Sequence, residues 1–269
     1  MYARSSETNP IAEIVLHMED DFLAIGCQEI QLPFGRLLRD PSHPLIYDVN
    51  CIRAVVGRPT IDDLWGAFRT IGGGRSTRYQ RLVSRDPGTI DWLDELLLPR
   101  GFARQVCVAM AHRGPPPPAP VPQGIEIHLV DREDEELLAK VCASQDSVRR
   151  KEAWYGSVVS AQMDEMALRQ MRLGGAEFLA AVTRSGSVAG SLLLYCKGEV
   201  GFIADVGTVP AHRRKGIASA LVAAATAVAQ QKGCTLVALT ARRDDAPRRI
   251  YEKLDFVVVG ESVDWVRPS

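Results

Sequence analysis

The segment 209–231 constrains the fold of this chain most strongly, because it joins three structural signals in one order. The end of a predicted strand is followed by the basic turn His-Arg-Arg-Lys-Gly at 212–216. The next residues, 217–231, are mostly alanine, valine and leucine, which favour a helix. The first amides of a helix have no partners within it, and the helix dipole adds positive potential at the same end. The order of strand, basic turn and helix therefore predicts an α/β fold with an anion-binding site at the turn.

The spacing Arg213-x-x-Gly216-x-Ala218 narrows the kind of anion site. It matches neither the dinucleotide fingerprint with its three glycines nor the phosphate loop that ends in Gly-Lys-Ser/Thr. It resembles the coenzyme A loop of the GNAT acetyltransferase superfamily, whose pattern is Arg/Gln-x-x-Gly-x-Gly/Ala between a strand and a helix. A basic turn that caps an ordinary helix gives the same short string, so this motif alone leaves both interpretations open.

A second motif follows after one more predicted strand. The segment 244–256 resembles the superfamily's helix that carries a tyrosine and ends in Gly-Phe before the last strand. The tyrosine here is Tyr251, and Asp255 replaces the usual glycine before Phe256. Two motifs in the right order extend the resemblance over about residues 125–266 and imply a sheet that is mostly antiparallel and flanked by helices.

Composition agrees with an ordinary globular protein and excludes several function classes. The 269 residues are 46% hydrophobic and 24% charged, with a net charge of −1. The sequence contains no long run of basic residues of the kind that binds nucleic acid. No apolar stretch reaches membrane-spanning length, and no signal-peptide core is evident. The six cysteines form no Cys-x-x-Cys pair, which favours reduced thiols over a disulfide or zinc framework. The sequence predicts a cytoplasmic protein with no metal, nucleic acid or membrane partner.

Residues 113–123 divide the chain, because six prolines in eleven positions do not sustain a helix or a sheet. We predict a degenerate GNAT-like domain at 1–112, a proline-rich linker at 113–123 and a catalytic GNAT domain at 124–269. A proline-rich ligand for a signalling domain is the alternative interpretation of the linker.

The second half shows the order of elements that the resemblance implies. The predicted helices are 132–145, 161–173 and 217–231, with a further helix around Tyr251. The predicted strands are 125–130, 178–183, 188–196, 200–206 and 234–239.

The first half repeats part of this order, and Gly101-Phe102 stands where Asp255-Phe256 stands in the second half. The predicted strands are 45–56, 79–83 and 102–111, and the predicted helices are 61–71 and 89–98. Leu97 precedes Phe102 by five residues, as Tyr251 precedes Phe256, so Leu97 is the equivalent of Tyr251. No basic glycine loop follows the first of these strands. The pattern indicates a second GNAT-like fold without its active parts, which packs on the other half and walls the acceptor site.

The resemblance implies acetyl-CoA as co-substrate and assigns its contacts. The strand end before the loop would pair with the pantetheine arm, and the loop amides would hold the pyrophosphate. The expected coenzyme-binding residues are Val206, Gly207, Thr208, Arg213, Arg214, Lys215, Gly216, Ile217, Ala218, Ser219 and Asp244, the last where relatives often have asparagine.

Direct attack of an amine on the thioester needs a base and an acid. Tyr251 is the candidate acid for the leaving thiolate, with a core aromatic as the alternative. Asp205, on the strand that leads to the loop, is the candidate base, and a solvated or ion-paired aspartate is equally compatible.

We expect Trp154 and Tyr155, between the first two helices of the second half, to wall the acceptor pocket, although packing under a lid explains them equally well. The predicted function is an acetyl-CoA-dependent N-acetyltransferase for the primary amine of a small molecule, acting as a monomer or homodimer. A peptide or protein acceptor, or a non-catalytic acyl-CoA sensor or scaffold, are the alternatives.

Overall fold

The computed structural model describes residues 9–73, 79–150 and 156–268. The first half contributes three helices: α1 (Pro10–Ala24), α2 (Ile61–Gly72) and α3 (Pro87–Leu97). Its strands are β1 (Gln28–Leu32), β2 (Gly35–Arg39), β3 (Cys51–Arg53), β4 (Tyr79–Ser84) and β5 (Ala103–His112).

The second half contributes four helices: α4 (Glu135–Arg149), α5 (Ser157–Gly174), α6 (Ile217–Gln231) and α7 (Arg248–Glu252). Its strands are β6 (Ile125–Leu129), β7 (Glu177–Thr183), β8 (Val188–Lys197), β9 (Val200–Thr208), β10 (Leu236–Arg242) and β11 (Val257–Pro268). The predicted helix 217–231 is confirmed at both ends.

One sheet contains all eleven of these strands, in the order β1-β2-β3-β4-β11-β5-β10-β9-β8-β7-β6. Only β3–β4 and β9–β10 pair in parallel, which confirms a mixed, mostly antiparallel sheet. The order is symmetric about the β11–β5 pair, so that β2-β3-β4 mirrors β8-β9-β10. The last strand of each half is exchanged: β11 pairs with β4, and β5 pairs with β10. The predicted internal repeat is thus confirmed, with the two halves joined in a continuous sheet.

Alternation along β5 divides the core between the two faces of the sheet. Val108 and Met110 pack on the α6 and α7 side, whereas Ala109 and Ala111 face α1, α4 and α5. A third cluster joins α2 and α3 to the outer part of the sheet and includes Trp265 of the exchanged strand β11. Both layers are needed to bury the sheet, because each face carries apolar side chains along its length.

The first half departs from the sequence prediction in two places. The predicted strand 45–56 is wrong in extent, since it contains a 3-10 turn at Tyr47–Val49 and only the three-residue β3. Asn50 explains the turn, because its side-chain oxygen accepts a hydrogen bond from the amide of Asp40 and its side-chain nitrogen donates one to the carbonyl of Ile46. Helix α1 and strands β1 and β2 were not predicted. No helix in the described ranges is long and apolar enough to cross a membrane.

Candidate functional site

The parallel strands β9 and β10 separate part-way along their length. Their last paired residues are Ile203 and Leu239. Beyond that point β9 continues to Thr208 beside β8, whereas β10 continues to Arg242 beside β5. The divergence opens a gap in the middle of the sheet, next to the loop that leads into α6.

A bulge in β9 marks the start of this gap. The register with β8 shifts between Ser191 and Leu193, and Asp205 adopts a left-handed backbone with φ of 51°. Gln145 of α4 supports the bulge, because its Nε2 donates at 2.9 Å to the carbonyl of Asp205 and at 2.9 Å to Oγ of Ser191. A Cβ on Gly207 would lie 2.9 Å from Oε1 of Gln145, so glycine is required for this close approach.

A cavity of about 230 Å³ occupies the gap. The sequence-predicted residues Asp205, Val206 and Tyr251 all line it. The first half supplies part of the wall through α1 and the turn before β3. The lining consists of Glu19, Phe22, Leu23, Asp48, Met163, Met166, Phe202, Ile203, Ala204, Asp205, Val206, Leu239, Thr240 and Tyr251.

Asp205 is an exposed residue that lines this cavity, and the protein atoms packed near its carboxyl exclude part of the water from it. Loss of solvation raises the pKa of its carboxyl; nearby Arg149 lowers that pKa, and the charges of Asp48 and Asp164 raise it further. The net direction is upward. A carboxylate with a raised pKa and access to a cavity is suited to accept a proton.

Tyr251 lies on the opposite side of the sheet from α1 and reaches the cavity through the gap. Its side chain is buried, and its ring packs edge-on against Phe256 at 6.4 Å between ring centroids. Burial raises the pKa of the Tyr251 hydroxyl to about 12, so the group keeps its proton near neutral pH.

The turn before α6 has the backbone form that an anion site needs. Arg214 and Gly216 are left-handed, with φ of 65° and 82°. The first helical hydrogen bond runs from the amide of Ala220 to the carbonyl of Gly216, and no side chain caps the helix. The amides of Ile217, Ala218 and Ser219 therefore precede the helical ladder and point out of its end.

The charged side chains of the turn are exposed at its surface. Arg213 donates through Nε to the carbonyl of Thr208 at 3.1 Å, and Lys215 donates through Nζ to the carbonyl of Ala211 at 3.2 Å. Oγ1 of Thr208 is buried and has no hydrogen-bond partner among the described residues. The turn thus joins positive charge, outward amides and one unsatisfied hydroxyl.

The predicted linker packs along α6. Gln230, near the end of α6, donates to the carbonyl of Gly114, and Ala119 contacts the core on the α6 side. At the other end of the helix, a Cβ on Gly216 would lie 3.9 Å from Cγ of Pro122. The segment is therefore held against the second half and reaches the turn before α6.

Asp244 is exposed just beyond the end of β10 and does not line this cavity. Trp154 and Tyr155 lie outside the described residues. Within the described residues, no group of three or more histidine, cysteine, aspartate or glutamate side chains is placed to hold a metal ion.

Sequence reasoning missed four residues of the site: Gln145, Glu19, Asp48 and Arg149. Arg149 is buried and joins α4 to α5, since its Nη1 donates to Oδ1 of Asp164 at 2.7 Å. The only sequence signal was the polar glutamine on the predicted helix 132–145. Each of the four depends on contacts between distant segments, which a local pattern does not reveal.

Comparison with known proteins agrees with this geometry. Residues 144–256 match the model of the acetyltransferase (GNAT) family. No curated protein matches the chain significantly.

Several solved structures share the fold over nearly the whole chain. A functionally unknown conserved protein from Staphylococcus epidermidis is 16% identical with a TM-score of 0.68, covering 91% of this chain and 95% of that one. A GCN5-related N-acetyltransferase from Kribbella flavida is 19% identical with a TM-score of 0.64, covering 96% of each chain. A tandem GNAT protein from the clavulanic acid biosynthesis pathway is 16% identical with a TM-score of 0.56, covering 97% of each chain.

Proposed function

Through its residues 144–256 this chain belongs to the GNAT superfamily of acetyltransferases, and from that premise we propose that it transfers an acetyl group from acetyl-CoA to the primary amine of a small molecule. One observation carries the proposal: the carboxylate of Asp205, with its raised pKa, and a protonated tyrosine, Tyr251, line one cavity in the gap between β9 and β10. That gap ends at the basic turn before α6.

The residues present fit coenzyme A. The amides of 214–219, of which those of 217–219 point out of the helix end, and the positive end of α6 would hold the pyrophosphate, with the side chains of Arg213, Arg214 and Lys215 adding charge. The unpartnered Oγ1 of Thr208 would gain a hydrogen bond from a polar group of the pantetheine arm. The backbone edge of Val206 and Gly207 that β10 leaves unpaired would lie beside that arm. Asp244 stays a predicted contact of the same arm.

The chain's residues then divide the proton transfers. Asp205 would take the proton that the acceptor's ammonium must lose before its nitrogen attacks the carbonyl carbon of the thioester. The C–N bond forms as the C–S bond breaks, and Tyr251 would give its proton to the leaving thiolate. The acylated nitrogen then loses its second proton to solvent, from which the tyrosine hydroxyl is restored. Gln145 positions Asp205 by holding the bulge, because it binds the carbonyl of that residue.

Calorimetric titration with acetyl-CoA tests the coenzyme site. We expect wild-type protein to bind, and a Gly216→Glu variant to lose binding because its carboxylate would repel the pyrophosphate. Gly233→Glu is the matched control, since Gly233 is also left-handed, has open space around it and lies at the other end of α6. Wild-type protein that fails to bind acetyl-CoA would refute the proposal.

Release of free thiol in the presence of amine acceptors tests the transfer. Replacing Tyr251 with phenylalanine should lower kcat by roughly 100-fold, in the range of general-acid contributions, and leave acetyl-CoA binding intact. An unchanged kcat would exclude Tyr251 as the acid. Turnover with lysine peptides but with no small amine would instead indicate a peptide acceptor.

A further inference from the structure

Glu19 of the first half lines the cavity of the second half. Helix α1 lies across the centre of the sheet and contacts β5, β9, β10 and β11. This position brings Glu19 to the β10 side of the gap, whereas Asp205 lies on the β9 side. Three carboxylates line the cavity, from Glu19, Asp48 and Asp205, and none of its described lining residues is basic.

Two groups hold the Glu19 carboxylate in place. Arg53 donates through Nη2 to Oε2 at 2.5 Å, and Thr240 donates through Oγ1 to Oε1 at 2.6 Å. Thr240 follows Leu239, the last residue of β10 that pairs with β9, and itself lines the cavity. Each carboxylate oxygen can accept two hydrogen bonds, so Glu19 keeps acceptor capacity for a ligand.

The position of Arg53 in the first half's sheet explains why it reaches Glu19 at the cavity of the other half. Ile52 and Leu82 are the last parallel pair of the first half, as Ile203 and Leu239 are of the second. Arg53 therefore occupies the position of Ala204. At this position the second half has the small side chain of Ala204 beside the cavity, whereas the first half has the fully buried guanidinium of Arg53.

The first half's own gap is closed around that guanidinium. The amide of Val55 donates to the carbonyl of Val83 at 3.0 Å, and Ser84 donates through Oγ to the carbonyl of Val55 at 2.6 Å. With its gap closed, the described part of this half forms no site of the same kind, and Arg53 turns toward Asp20 and Glu19.

We propose that Glu19 binds a second cationic group of the acceptor, so that the preferred substrates are small diamines or amines with an added positive charge. This inference rests on the proposed function. The reacting amine lies at Asp205 and the second cation at Glu19, across the gap from it. Phe22, Leu23 and Met163 line the apolar space that the carbon chain would occupy. Desolvated charge pairs of this kind discriminate strongly against a ligand that lacks the charge.

The test compares 1,4-diaminobutane with butylamine as acceptors, followed by free-thiol release. Wild-type protein should show a kcat/KM for the diamine that is at least roughly tenfold higher, as expected for one desolvated charge contact. Glu19→Gln should remove that preference by lowering kcat/KM for the diamine, and should leave the KM for acetyl-CoA within about twofold. Asp21→Asn is the matched control, because Asp21 lies on the same helix but pairs with Lys197 outside the cavity.

A second variant guards against misfolding of the first. Thr240→Val keeps the Glu19 charge but removes the hydroxyl that holds it, and should weaken the diamine preference partially. The role of Glu19 is overturned if wild-type protein uses both amines equally, or if both variants keep the wild-type preference. In either case the proposed function stands as long as wild-type protein binds acetyl-CoA. Loss of acetyl-CoA binding in wild-type protein overturns both.

Discussion

Ala54 and Asp205 occupy the same position in the two halves of the sheet. Each follows the last parallel pair of its half by two residues, and each is a non-glycine residue with φ of 51°. This conformation costs about 1–2 kcal/mol for an ordinary residue. The strained conformation therefore recurs at the equivalent position of both halves, but only the second half places a carboxylate there.

The activity should depend on pH through Asp205. Only the ionised carboxylate accepts a proton, and its pKa is raised, so kcat/KM should fall on acidification at a higher pH than an ordinary aspartate would give. Asp205→Asn should lower kcat and remove this acidic limb. The control Asp91→Asn, at an exposed position on α3, should keep the wild-type profile. An acidic limb that persists in Asp205→Asn would assign the base to another group.

The same residue should reduce stability near neutral pH. Because the folded-state pKa of Asp205 lies above its unfolded value, the folded state binds the proton more tightly, and the cost of its charge is fully present above the folded pKa. Asp205→Asn should therefore raise the melting temperature at pH 7. The gain should shrink as the pH falls through the folded pKa toward the unfolded one. A lower melting temperature at pH 7 would contradict the direction of the shift.

The local elements could be predicted because local signals define them. Helix α6 begins after Gly216, which is left-handed, and ends before Lys232-Gly233, so both of its limits are visible in the sequence. The equivalence of Leu97 and Tyr251 is also confirmed, since Phe102 and Phe256 each donate a backbone hydrogen bond to the carbonyl five residues earlier, Leu97 and Tyr251 respectively.

The exchange of β5 and β11 could not be predicted in the same way. Strand pairing depends on which distant segments meet, and β11 lies more than 170 residues from its partner β4. The contact of Gln145 with Asp205, 60 residues apart, has the same character. Sequence motifs thus indicated the candidate reacting groups, whereas the residues that hold them required the structure.

Gln145 and Gly207 should be energetically coupled. Gly207→Ala places a Cβ 2.9 Å from Oε1 of Gln145 and should cost about 1–3 kcal/mol by overpacking. In a Gln145→Ala background that contact is absent, so the same change should cost less, with a coupling energy of at least about 0.5 kcal/mol. Urea unfolding of the four proteins measures it. Glu136 is exposed on the same helix, so the unfolding free-energy changes of Glu136→Ala and Gly207→Ala should add. If the changes for Gln145→Ala and Gly207→Ala also add, the contact between these two residues is refuted.

Trp265 should link the stability of the two halves. It lies on β11 of the second half but is fully buried in the core of the first, where its Nε1 donates to Oδ1 of Asp94 at 2.8 Å. Trp265→Ala should cost about 3–5 kcal/mol, as large core truncations do. Because the exchanged strands join both halves in one sheet, that loss should appear in a single transition, seen together by circular dichroism and by loss of acetyl-CoA binding. Val257→Ala, at an exposed position on the same strand, should change stability by less than about 0.5 kcal/mol. Two separate transitions in Trp265→Ala, with the second half unaffected, would show that the halves unfold independently despite the exchange.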